Sequence, residues 1–256
     1  MRDFSNNILE QMIVSFLSYG FEFETFNSLL SSIGGKKIIL RHDVDAKPEN
    51  ALSTAILEHK LNVRGTYNFR IVRETFNPDI IRKIADLGHE IGYHYEDMDL
   101  VYADNLDKHI DLAYESFKKN LDMLRKIVPI NTICMHGSPR AKYDNKMIWT
   151  KHSYRDLGLN GEPYFDIDFN EFLYLTDTGR RWNGDKVSVR DKVNSKYKFD
   201  LKTTHDVINA IPQFPDNIMI TIHPQRWDDR FGPWLQELVS QNLKNVIKWT
   251  LIKTRK

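Results

Sequence analysis

Ile38-Ile39-Leu40-Arg41-His42-Asp43-Val44-Asp45 is an apolar run that turns polar at its end, and Pro48 follows it closely. An apolar run of this length predicts a strand over 38–44, and the proline opens a helical pattern over 48–59. The same alternation repeats downstream. Strand patterns at 63–71, 89–95, 131–136, 172–176 and 218–223 are interleaved with helical ones at 78–87, 105–127 and 234–243. Alternating βαβα patterns predict a parallel sheet covered by helices, either wound open or closed into a barrel. Upstream, 7–17 and 26–30 read as helical, and the stretch 142–172, broken by Gly158, Gly161 and Pro163, reads as a long excursion.

The strand ends carry the functional signal. Strand by strand, they finish in Asp43 and Asp45, in His94 and Glu96, in Cys134 and His136, in Asp177, and in His223. In parallel α/β folds the carboxyl ends of the strands lie at one rim, so these residues should converge. Period two puts Asp43 and Asp45 on one face, His94 with Glu96, and Cys134 with His136. Two carboxylates about 7 Å apart on one strand are costly to bury ionised, and a divalent metal supplies the missing charge. Imidazole and carboxylate ligands suit zinc, with one position left for water, and a free carboxylate and a separate histidine can serve as base and acid. An Asp-x-Asp alone is often a turn or cap device, and one strand-end histidine is usually structural. Five coincident cases are what favour a site.

Composition narrows the class. The 256 residues contain 36 Lys+Arg and 35 Asp+Glu, a formal net charge of +1, with 41% hydrophobic residues. Such balance gives no footprint for nucleic acid. Cys134 is the single cysteine, which excludes an intrachain disulfide framework and leans toward a cytoplasmic compartment. The apolar run at 12–21 is too short to cross a bilayer and lacks the basic flank of a signal peptide.

The motifs Arg41-His42-Asp43-Val44-Asp45, Gly88-His89-Glu90-Ile91-Gly92-Tyr93-His94, His136-Gly137-Ser138-Pro139 and Ile222-His223-Pro224 resemble the ordered motifs of NodB-like polysaccharide deacetylases. The resemblance spans roughly 36–227 and is strongest to a divergent branch with Arg-His-Asp-x-Asp in first place, including Thr176-Asp177 to Trp182 and Thr221 to Trp227. It implies a distorted (β/α)7 barrel over 36–256, preceded by an N-terminal helical extension over 1–35. It also implies a zinc-dependent N-deacetylase acting on an N-acetylated sugar, nucleotide- or lipid-linked, in surface polysaccharide biosynthesis. Asp43 matches the catalytic base, Asp45 and His94 two metal ligands, and His223 the catalytic acid. Where the family places another histidine ligand, this chain has Met98, whose thioether is a poor ligand for such an ion. His136 is the expected third ligand and Glu96 the alternative. The arginine that usually opens the third motif is missing, leaving Arg140 or Arg41 to orient Asp43. Arg140, Asp177, Arg181, Trp182 and Trp227 are expected to face substrate, with Asp177 or Arg181 also tuning a catalytic partner. Two other readings are a degenerate member that binds saccharide without turnover, and a hydrolase of another C–N bond. His42 and His89 alternate away from the interior, which predicts structural roles facing the helices. Cys134 reads as a small core residue, and Tyr67 as either a core aromatic or a sugar platform.

Overall fold

The computed structural model describes residues 2–30, 34–138, 141–182 and 193–254. Helix α1 (Asn6–Ser18), strand β1 (Glu22–Glu24) and helix α2 (Phe26–Leu29) precede the central strand β2 (Lys37–Val44). Then follow α3 (Pro48–Lys60), β3 (Thr66–Phe69), α4 (Pro78–Asp86), β4 (Glu90–Tyr95), α5 (Asp97–Leu100), α6 (Leu106–Arg125) and β5 (Ile133–Met135). The chain continues through α7 (Pro163–Asp166), β6 (Leu173–Thr176), α8 (Thr204–Ala210), β7 (Asn217–Ile222) and α9 (Phe231–Thr254). Every pairing is parallel, in the order β5-β4-β3-β2-β7-β6, with β1 beside the first half of β2. The sheet curls into the distorted (β/α) barrel expected from the sequence. Its edge strands β5 and β6 are not paired with each other among the described residues; the Thr132–Gly161 bridge ties β5 to the excursion instead.

Two features depart from expectation. The stretch 1–35 is not purely helical, because β1 pairs Glu22, Phe23 and Glu24 with Lys37, Ile38 and Ile39. Three residues, two of them acidic, are too few to show a strand period. The expected excursion over 142–172 holds short helical turns, among them α7.

Side-chain parity organises the interior. The even-numbered residues of β2 face outward: Ile38 and Leu40 pack in an apolar cluster with α1 and α8, and Val44 in another with α3, α4 and α6. Odd-numbered residues face inward. Ile39 and Met219 form an apolar floor with Phe26 and Phe169, Arg41 lies above it, and Asp43 lies at the top. This order puts the charged groups toward the carboxyl rim and seals the opposite end with hydrocarbon, which the burial cost of unpaired polar groups favours.

Candidate active site

Six strands each place a polar side chain on the first residue beyond the strand: Asp45, Arg70, Glu96, His136, Asp177 and His223. Asp45 Oδ1 lies 3.4 Å from His94 Nε2 and 3.2 Å from His136 Nδ1, and the two ring nitrogens are 3.2 Å apart. Ligands about 2.0–2.1 Å from a tetrahedral zinc stand about 3.3 Å from one another, so the triangle has the size such an ion requires. Asp45 Oδ1 is buried without a hydrogen-bond partner, and two imidazole nitrogens facing each other need a proton or a cation between them. The donor set therefore fits a divalent ion. His94 Nδ1 donates to the carbonyl of Cys134 at 2.9 Å, which fixes the tautomer that turns the Nε2 lone pair toward Asp45.

Asp43 stands beside this triangle, 3.9 Å from His94 Nε2. Arg41 grips it from the same strand face, with Nε to Oδ1 at 2.8 Å and Nη2 to Oδ2 at 2.5 Å. Burial pushes the Asp43 pKa up, but the charge and hydrogen bonds of Arg41 lead the effects that outweigh it and hold the carboxyl at about 2. Arg41 thus orients Asp43. Asn68 adds an amide donor at 3.4 Å, and this contact explains Gly92 in the neighbouring strand: a Cβ there would lie 2.1 Å from Asn68 Oδ1. Asp45 and His136 are coupled. Burial raises the carboxyl and lowers the imidazole, yet their mutual attraction reverses both, leaving Asp45 well below and His136 above the ordinary value.

His223 closes the other side, its Nε2 3.8 Å from Asp45 Oδ2. Its Nδ1 lies 2.6 Å from Asp177 Oδ1 and its backbone N–H donates to Oδ2 at 3.0 Å. Asp177 also accepts from Arg226 Nη1 at 2.5 Å and Trp227 Nε1 at 2.7 Å. Burial opposes the Asp177 charge, and Arg226 and His223 overcome it, keeping the pKa low. Arg226 was absent from the expected set, although it stands inside the Thr221–Trp227 motif; the buried Asp177 needs a cation, and Arg226 supplies one.

The structure thus brings together Asp43, Asp45, His94, His136 and His223. It corrects the expected substrate-facing residues. Trp227 is 1% exposed and Trp182 4%, in contact with each other and with their indole N–H groups spent on Asp177 and Thr204, so neither ring offers a face to a sugar. Asp177 is fully buried and holds His223 instead of meeting substrate. Arg181 is half-buried and, among the described residues, makes no hydrogen bond to Asp177 or His223. Arg140 lies outside the described residues. Met98 is buried in the apolar cluster. Glu96, the alternative ligand, is held bidentately by Arg70, another residue the sequence reading passed over. Cys134 faces inward near Asp43 and His94, whereas His42, Tyr67 and His89 pack behind the sheet near α3.

No family model and no curated protein matches the chain. Solved structures do. The deacetylase PplD of Streptococcus pyogenes, solved in complex with acetate, is similar over 57% of this chain and 68% of that one, at 14% identity and a TM-score of 0.44. BA3943 of Bacillus anthracis, a CE4 family pseudoenzyme, gives 14% identity and a TM-score of 0.44 over 82% of this chain and 62% of its own, so the chain spans less than two thirds of that protein. PdaA of Bacillus subtilis, a family 4 carbohydrate esterase, gives 15% identity and a TM-score of 0.43 over 91% and 84%. At these scores the likeness carries no argument for activity, which rests on the side chains at the rim.

Proposed function

We propose that this protein is a metal-dependent hydrolase that removes the N-acetyl group from a sugar. The observation that carries the reading is the ligand-sized triangle of Asp45, His94 and His136, flanked by Asp43 on one side and His223 on the other. Asp45, His94 and His136 would hold a divalent ion, zinc by their donor set, which would supply Lewis acidity toward water and an amide carbonyl. Asp43, oriented by Arg41, accepts the proton of the attacking water. The water oxygen bonds to the carbonyl carbon, the C–N bond breaks, and His223 delivers a proton from Nε2 to the departing amine nitrogen. Asp177 steadies the positive charge that His223 carries while it holds that proton. Acetate and a free amine result.

The carbohydrate class and a place in surface polysaccharide assembly rest on the motif resemblance. A nucleotide- or lipid-linked N-acetyl sugar as substrate, and a cytoplasmic location, belong to the same proposal. No helix among the described residues is long and apolar enough to cross a membrane. The test is acetate release from N-acetylglucosamine oligomers and nucleotide-linked N-acetyl sugars, measured before and after chelation and zinc repletion. Zinc-dependent release that falls at least 100-fold in His94→Ala supports the reading. Release indifferent to chelation or to that substitution overturns it.

A further inference from the structure

Arg70 is the first residue after β3, and its guanidinium reaches three ways. Nε and Nη2 donate to Glu96 Oε1 and Oε2 at 2.8 and 2.7 Å, and Nη1 donates to the backbone carbonyl of Asp45 at 3.1 Å. Glu96 Oε2 in turn lies 3.9 Å from His136 Nε2, the ring nitrogen on the side away from Asp45. Side-chain exposures of 20% for Arg70 and 8% for Glu96 show that water screens this pair little. A free carboxylate at Glu96 would have several rotamers; a bidentate guanidinium leaves it one.

We propose that Arg70 and Glu96 are positioning residues for the metal site: the Glu96 carboxylate, 3.9 Å from His136 Nε2, favours the tautomer protonated there and so presents Nδ1 as the ligand atom, while Arg70 locks Glu96 and the backbone of Asp45. The proposal rests on the reading that Asp45, His94 and His136 hold a divalent ion. It assigns Glu96 the part of an orienting charge, in place of the ligand its strand position suggests. Two of the three ligands would then be steadied through a single arginine, in contacts that join the loops after β2, β3, β4 and β5. Such outer contacts commonly change metal affinity by about 10- to 100-fold.

The experiment measures zinc affinity of the full chain by competition with a chromogenic chelator, for wild type, His94→Ala, Arg70→Met, Arg70→Lys and Glu96→Gln. The exchangeable Nε2 proton of His136 is followed by NMR in the cobalt-loaded protein. Expected are binding that requires His94, affinity about tenfold or more weaker in Arg70→Met and Glu96→Gln, partial recovery in Arg70→Lys, and loss or displacement of the His136 proton signal in Glu96→Gln. Circular dichroism checks folding, and Glu96→Gln carries the test should Arg70→Met misfold. Wild-type binding that depends on His94, with both variants within twofold of it and an unchanged proton signal, overturns this proposal alone. A wild type that takes up no zinc overturns it together with the function on which it rests.

Discussion

Asp43 and Asp177, two of the buried carboxylates at the rim, are each held by an arginine, and the arginines do different work. Arg41 binds both oxygens of Asp43, so the charge that keeps the carboxyl ionised also restricts its orientation. Replacing Arg41 by Met removes the main force holding the Asp43 pKa at about 2 and leaves burial, which pushes it up. The acid limb of the kcat/KM–pH profile should therefore move to higher pH, and a limb that stays in place would argue against Asp43 as the base. Arg226 shares Asp177 with His223 and Trp227. Asp177→Asn keeps the volume but removes the charge facing His223, and kcat should fall roughly 10²- to 10⁴-fold with little change in KM. A loss confined to KM would return Asp177 to the substrate-facing part expected from sequence.

Between β2, β3 and α3 lies a polar cluster that the rim does not use. Glu58 of α3, fully buried, lies 2.8 Å from His42 Nε2 and accepts from the Tyr67 hydroxyl at 2.8 Å, while His42 and Tyr67 stack with centroids 4.0 Å apart. Gly65 N–H donates to His89 Nδ1 and His89 Nε2 donates to Ala55 O, which fixes that ring as neutral. Glu58→Leu leaves the Tyr67 hydroxyl without its acceptor and removes the carboxylate beside His42, so urea unfolding should show a loss of about 2–4 kcal/mol. A neutral result would mean that the cluster relaxes around the apolar side chain. The outward turn of His42 and His89 was legible in the sequence because both lie in or beside a strand, where parity fixes direction. Parity also placed Asp43 and His94 correctly. It fails one turn later. Gly179 and Arg180, at φ of +75° and +56°, reverse the chain after β6 and carry Trp182 into the α1–α8 cluster, a direction no period encodes. Arg70 and Arg226 escaped for a related reason: an arginine at a loop entry declares its role only through the carboxylate it meets, and those partners, Glu96 and Asp177, are far away in sequence.

Across the whole molecule, buried carboxylates of opposite tendency set how stability responds to pH. Burial raises Glu162 to about 7 and Asp97 to about 6, the latter despite hydrogen bonds from Tyr93, Ser116 and Asn120. For such groups the stabilising contribution is complete below the unfolded pKa and is lost as pH rises through the folded one. Their share of stability therefore declines between about pH 4 and pH 7, and Glu162 alone accounts for roughly 3 kcal/mol. Asp43, Asp45 and Asp177 behave oppositely: their pKa values are lowered, so their contribution is present above the unfolded value and disappears as pH falls below about 4. His136, raised, and His89, lowered, pull in opposite directions near neutrality. The chelated protein should accordingly be most stable near pH 4, where the two windows meet, with Tm from near-UV circular dichroism falling on both sides. Zinc changes the alkaline side selectively, because its ligands must be deprotonated and His136 competes for a proton at lower pH. Added zinc should raise Tm more at pH 8 than at pH 5. A Tm that climbs steadily from pH 5 to pH 8 without metal would contradict the assignment of Glu162 and Asp97 as carboxylates that resist ionisation. An increment from zinc that is the same at both pH values would mean that His136 is not among the ligands.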